Sequence, residues 1–268
     1  MNKSDAVNQH YLLNEQYKDA SNFNTRLDMI QQLSTQPVDW YPWIFERIKK
    51  RPGSRVLELG CGPGYLWQRN LEKIPPSWDI TLSDFSAGML KDAHHTLSNS
   101  GRHFTFQLVD AQEIPFEDAH FDILIANLML YHVPDLARAL AEIQRVLKPD
   151  GLFYAATIPE TAFAVVDRLM RLAGMDSWAD AAAFNLENGA EKLSRWFSQL
   201  EVQRLPIPIV VREVDPLVAF IRSGVPQNAY SEAVFERLRA IIQRELSQEG
   251  QIRIPMDIGV FEASGKRA

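Results

Sequence analysis

Residues 55–65 read RVLELGCGPGY, a short apolar strand that runs straight into a glycine loop and then into a helix opening near Tyr65. Glycines at 60, 62 and 64 allow a tight turn and let a ligand approach the backbone. The helix N-terminus behind them offers free N–H groups and the positive end of its dipole. Glycines also serve ordinary strand-to-helix turns, so the loop taken alone leaves a ligand-binding and a purely structural reading open.

Working outward, the apolar runs DITLS (79–83), FTFQLV (104–109), FDILIAN (121–127) and GLFYAAT (151–157) follow, separated by helical patterns. This alternation predicts a parallel sheet flanked by helices. Asp135 is placed to cap a helix whose Leu136, Leu140, Ile143 and Leu147 recur at helical spacing, and the Lys148 to Gly151 turn stops it. Residues 1–50 read as helical and aromatic. Beyond 158 the alternation stops: helices are expected over 161–174, 188–199, 215–223 and 229–249, and strands over 201–212 and in the final run QIRIPMDIGVFEA. No internal repeat or low-complexity segment interrupts this order.

Composition narrows the function classes. The 268 residues, 46% hydrophobic and 23% charged, suffice for one large domain or one domain with a substantial insertion, with a core that needs neither disulfide nor metal. The single cysteine, Cys61, rules out an internal disulfide, a Cys-rich zinc site and CxxC redox chemistry. A net charge of -6 gives no broad basic field for a phosphate backbone, so no nucleic-acid partner is expected. Every apolar run is broken by polar residues well before membrane-spanning length, and the N-terminus lacks the apolar core of a signal peptide; no membrane insertion is expected, and the chain reads as cytoplasmic.

The loop spacing is Gly-x-Gly-x-Gly with Glu58 two residues ahead of it, whereas the pyrophosphate fingerprint puts its third glycine where this chain has Tyr65. That disfavours a nicotinamide-dependent oxidoreductase. An acidic side chain at the loop entry repels a pyrophosphate but can hold the ammonium of a zwitterionic amino acid, directly or through water. Asp84, 20 residues past Gly64 at the end of the second strand, is placed to accept from both ribose hydroxyls. Asp110 and Ala111, ending the third strand, suit an adenine amino group and ring nitrogen. Ribose, adenine and an amino acid together describe S-adenosylmethionine.

The segments VLELGCGPG (56–64), DFSAGML (84–90), VDAQEIPFEDAHFDILIANLMLYHVPD (109–135) and AEIQRVLKPDGLF (141–153) resemble, in order and spacing, the class I S-adenosylmethionine-dependent methyltransferases, in particular the group containing the ubiquinone and menaquinone C-methyltransferases. The resemblance covers residues 45–160, about two fifths of the chain. It implies an α/β, Rossmann-like, mostly parallel seven-stranded sheet with helices on both faces, plus N-terminal helices and helical insertions forming a lid. The organisation expected is an N-terminal helical lid over 1–45, a cofactor-binding core over 46–160, and helical insertions with the last strands over 161–268. The cofactor implied is S-adenosyl-L-methionine, leaving S-adenosyl-L-homocysteine, with no metal. Residue by residue, the resemblance makes Glu58, Gly60, Gly62 and Gly64 the methionine-side loop and Asp84 the ribose ligand. It puts Phe85 or Met89 beside the adenine, Asp110 and Ala111 at the adenine edge, and Asn127 with Leu128 at the sulfonium end. Met89 has a core-packing reading as well. Cys61 reads as a small packing residue inside the loop rather than a nucleophile.

The resemblance says little about the methyl acceptor. In an open α/β sheet ligands bind outside the carboxyl ends of the strands, so His132, just past strand four, faces the reacting methyl as general base, as a donor orienting the acceptor, or merely as a cap of the next helix. Tyr11, Tyr17, Phe23, Trp178, Phe184, Trp196 and Phe197 are candidates to roof the pocket, each with a core reading beside it. Arg26 lies near the aromatic stripe, where an acidic acceptor, the cofactor carboxylate or plain solvent are its three possible partners. A small, partly apolar metabolite is the default acceptor. An RNA or protein substrate would need a basic surface at the mouth, for which the one dense run is IFERIKKRPGSR (44–55). A cofactor-binding protein without transfer activity is the third alternative, and the oligomeric state is left open.

Overall fold

The computed structural model describes residues 8–35, 39–176 and 183–267. Ahead of the sheet come α1 (Gln9–Tyr11), a π-helical turn (Leu12–Gln16), α2 (Ser21–Leu33) and α3 (Trp40–Arg47). The alternating region then runs β1 (Arg55–Leu59), α4 (Tyr65–Gln68), β2 (Asp79–Asp84), α5 (Ala87–Leu97), β3 (Thr105–Leu108), β4 (Phe121–Asn127), α6 (Leu136–Val146) and β5 (Leu147–Thr157). After it lie α7 (Ala164–Leu172), α8 (Gly189–Ser194), β6 (Phe197–Pro206), β7 (Ile209–Val211), α9 (Val214–Ser223), α10 (Glu232–Glu249), β8 (Ile252–Ile254) and β9 (Asp257–Lys266).

Seven strands form one sheet in the order β3-β2-β1-β4-β5-β9-β6, in which β9 alone runs opposite to the other six. This is the Rossmann-like sheet expected. The central strands read as near-continuous apolar runs because both of their faces are covered. Val56, Ile123 and Tyr154 point into one core layer, while Leu57, Leu124 and Phe153 point into the other. Glu58, buried on the Val56 side, is the one charged side chain of β1 in that position. The helix after β4 starts as expected, its Asp135 side chain accepting from the Arg138 N–H.

Three expectations for the last third are corrected. The single strand over 201–212 is two, because Pro208 has no N–H for a ladder; β7 starts at Ile209 and pairs with β8 in a separate small sheet. The Ile207 N–H between the two strands donates to the Met256 carbonyl at 2.6 Å. The final strand likewise breaks at Pro255 into β8 and β9. The helix over 188–199 ends at Ser194, since Phe197 already opens β6. No described helix is long and apolar enough to cross a membrane.

Candidate active site

Strand order reverses between β1 and β4, which opens a crevice at the carboxyl ends of the strands. A cavity sits there, and of the residues singled out in the sequence it brings together Glu58, Gly60, Gly62, Asp84, Phe85 and Met89. Asp110, Ala111, Asn127, Leu128 and His132 line it too.

The loop after β1 is fixed from two sides. The Cys61 N–H donates to the Ser83 carbonyl at 2.8 Å, and the Gly62 N–H donates to Asp84 Oδ2 at 2.9 Å. Gly60 has no room for a side chain: a Cβ there would lie 2.8 Å from Met129 on the turn after β4. Gly64 differs from what the resemblance implies. It does not line the cavity; at φ +80° it starts α4, and a Cβ would press on Leu97 and Ala93 of α5. Its smallness serves helix packing. Cys61 is buried, and that burial, with Asp84 and Glu58 nearby, pushes its thiol well above the usual range, which makes it a poor nucleophile.

The carboxylates are not ordinary. Glu58, only 1% exposed, accepts from the Trp67 indole N–H at 2.5 Å. Burial pushes it up to about 8, against that hydrogen bond and with the Asp84 charge adding to the rise. Asp84 is pushed up to about 6 by burial, opposed by backbone N–H groups of Ser86, Gly62 and Phe85. Asp110 accepts from the Gln112 N–H at 2.9 Å and from Gln9 Nε2, in α1, at 3.3 Å. Met89 is both core and lining, 2% exposed, with its N–H held by the Ser86 side chain.

At the end of β4, Leu128 adopts the left-handed region at φ +58° while its N–H donates to Ala156 O at 3.0 Å. Such strain in a non-glycine residue concentrates at functional sites. Among the described residues the buried Asn127 Oδ1 beside it finds no hydrogen-bond partner, nor does the Trp40 indole N–H, and both residues line the cavity. An orphan acceptor and an orphan donor are what a zwitterion, bringing an ammonium and a carboxylate, would satisfy. The residues present therefore fit S-adenosylmethionine.

His132 does not cap α6, a role taken by Asp135. Its Nε2 shares a 2.9 Å hydrogen bond with the Tyr17 hydroxyl, the rings meeting edge to face with centroids 5.2 Å apart. Tyr17 thus links the N-terminal segment to the turn after β4. The same segment supplies Leu12 and Leu13 to the roof, and α2 supplies Phe23, Arg26, Leu27 and Ile30, a helical i, i+3, i+4, i+7 face.

Of the aromatic candidates, Tyr17 and Phe23 line the cavity and Trp178 falls outside the described residues. Tyr11 is buried in the core, bonded to Gln16. Phe184, Trp196 and Phe197 are corrected: they pack in the layer on the opposite side of the sheet. The far wall comes instead from Phe163, Phe220, Met256 and Ile258, which nothing in the sequence separates from core residues. Arg26 is not a solvated surface residue, since it lines the cavity.

The basic run over 44–55 sits at the other end of the strands, where it leads into β1. Its charges are engaged locally: Arg47 stacks 3.6 Å above the Trp43 ring centre, Arg51 donates to Asp150 O at 2.8 Å, and Lys49 pairs with Glu262.

Fold and cavity together define a Rossmann-like methyltransferase architecture. The family model described as "Methyltransferase domain" matches residues 57–155, a stretch that is similar to the class I S-adenosylmethionine-dependent methyltransferases. Among curated proteins it is 33% identical over 112 residues to the ubiquinone/menaquinone biosynthesis C-methyltransferase UbiE of Bordetella avium, covering 42% of this chain and 44% of that one. It is 35% identical over 114 residues to the demethylmenaquinone methyltransferase of Lactobacillus johnsonii, covering 42% and 47%. The matched stretch thus spans about half the length of these relatives. Among solved structures, YcgJ of Bacillus subtilis superposes with a TM-score of 0.59 at 20% identity, covering 85% of this chain and 98% of that one. A phosphoethanolamine N-methyltransferase of Haemonchus contortus superposes with a TM-score of 0.61 at 18% identity, covering 97% and 60%.

Proposed function

We propose that the protein transfers a methyl group from S-adenosylmethionine to a small-molecule acceptor held under a lid made by the N-terminal segment and the C-terminal third. The observation that carries this reading is a single cavity with Asp84 and Asp110 at one end, apolar walls of Phe163, Phe220 and Ile258 at the other, and Asn127, Leu128 and His132 also lining it. When bound, the cofactor supplies a methyl already activated on a sulfonium. Asp84 and Asp110 would hold its ribose and adenine, Glu58 and Asn127 its ammonium. His132, its Nε2 shared with the Tyr17 hydroxyl, would orient the acceptor or, with that bond exchanged, take its proton, while the apolar walls keep water out. The quinone methyltransferases among the relatives act on small molecules, as their names state, which supports the acceptor class. A transfer assay with labelled S-adenosylmethionine over fractionated metabolite, RNA and protein pools tests it; label entering only RNA or protein would sink the small-molecule reading.

The shifted carboxyls give a pH signature. With Glu58 at about 8 and Asp84 at about 6, the ligand-free protein holds Glu58 mostly protonated near neutrality. A cationic ammonium beside it favours the ionised form, so binding is expected to release protons and affinity to rise with pH between about 6 and 8. Calorimetry with S-adenosylhomocysteine in buffers of different ionisation heat reads this directly. Binding heats that do not vary with buffer would separate Glu58 from the ligand.

His132→Ala is expected to leave cofactor affinity within about twofold and lower turnover roughly ten- to a thousandfold if His132 removes a proton, less if it only orients. Glutamine at 132 keeps a hydrogen bond but takes no proton, so partial rescue by it marks orientation. Wild-type turnover in both variants would leave His132 without a role in transfer.

A further inference from the structure

The sheet order divides the cavity. β3, β2 and β1 end in Asp110, Asp84 and the glycine loop, whereas β5, on the other side of β4, leads into Ile158 and the apolar wall of Phe163, Phe220, Met256 and Ile258. Arg26 belongs to this second half. Its Nη1 donates at 2.9 Å to the carbonyl of Ser223, the last residue of α9, the helix that also supplies Phe220. Its guanidinium carbon lies 5.6 Å from the centre of the Tyr17 ring, and Tyr17 holds His132.

Among the described residues Arg26 is the only arginine or lysine lining the cavity, and it forms no salt bridge with a described carboxylate. The three acidic residues of the lining, Glu58, Asp84 and Asp110, lie at the ends of β1, β2 and β3, in the other half. A cation partly withdrawn from water, with the Ser223 carbonyl, the Gln16 side-chain amide and an aromatic face as its neutral partners, bears a desolvation cost that those partners offset only in part. A carboxylate offsets the remainder, and the planar guanidinium presents paired donors to it.

We propose that the methyl acceptor is an acid: an apolar or ring-bearing metabolite whose carboxylate is received by Arg26, with its body against the Phe163 and Phe220 wall and its reacting atom by His132. This rests on the methyltransferase reading and narrows its substrate class. Arg26 is then a specificity-determining residue of the acceptor half and leaves the cofactor untouched.

The test is calorimetric binding of matched pairs, benzoate with benzamide, naphthoate with naphthamide and decanoate with decanamide, to wild type, Arg26→Lys and Arg26→Gln, each with and without S-adenosylhomocysteine. Wild type is expected to favour at least one acid over its uncharged amide by roughly tenfold or more. Arg26→Gln should abolish that preference. Arg26→Lys, which keeps the charge but not the paired donors, should reduce it severalfold, and both variants should bind S-adenosylhomocysteine within about twofold of wild type. No preference in wild type, or an undiminished one in either variant, overturns the proposal. Failure of wild type to bind S-adenosylhomocysteine would count against the methyltransferase reading, while the acid-over-amide comparison without it still judges Arg26.

Discussion

Gly62→Val is expected to reduce S-adenosylhomocysteine binding by more than about a hundredfold, beyond any side-chain deletion in the site. Apart from its chain neighbours, a Cβ at this position meets no atom of the described residues within 4 Å, so a valine side chain would project into space the cofactor needs rather than into the core. The backbone there has φ +53°, which costs an ordinary residue roughly 1–2 kcal/mol. At about 2–4 °C per kcal/mol for a chain of this size, the melting temperature should fall by only a few degrees. Calorimetric binding read beside the melting curve separates the two effects. Normal binding by a folded Gly62→Val protein would take the loop out of the cofactor site.

The second large effect is expected at Asp84. Asp84→Ala removes a carboxylate placed for two ribose hydrogen bonds, a loss of about tenfold to several hundredfold in cofactor affinity once water recovers part of the energy. The side chain also accepts from the Gly62 N–H at 2.9 Å and the Ser86 N–H at 2.8 Å, so its removal loosens the loop as well. Asp84→Asn keeps one acceptor oxygen and should be milder. An unchanged dissociation constant in the folded alanine variant would remove Asp84 from the site.

The half of the cavity proposed to hold the cofactor was legible in the sequence because it is built locally. Each of its elements is a strand end that carries or leads into a telling residue: Glu58 near the end of β1 and the glycines after it, Asp84 closing β2, Asp110 just past β3, Asn127 closing β4. Strand ends and cavity lining coincide there by topology. Gly64 shows the limit of motif reading, since a glycine in the right place can serve helix packing. The acceptor half was not legible. Phe163, Phe220 and Met256 are ordinary apolar residues far apart in the chain, and an aromatic on an amphipathic segment does not say which face of the sheet it will cover. Phe184, Trp196 and Phe197 were therefore as plausible as Tyr17 and Phe23. The hydrogen bond from Tyr17 to His132 joins residues more than a hundred positions apart, and no spacing rule reaches that far.

The placement of β9 bears on how the chain reaches its fold. β9 lies between β5 and β6, and among the described residues β6 has no other strand beside it. On the ribosome, β1 to β5 emerge early and can assemble among themselves, but β6 must wait for a partner translated after α9 and α10. During that interval β5 presents an open edge whose Phe153, Tyr154 and Ala155 are destined for burial, a surface on which a neighbouring nascent chain could pair. Residues 257–266 therefore act as the closing piece of the sheet, and because Ile258 among them also lines the cavity, deletions that reach into β9 should compromise yield, aggregation resistance and the apolar wall together.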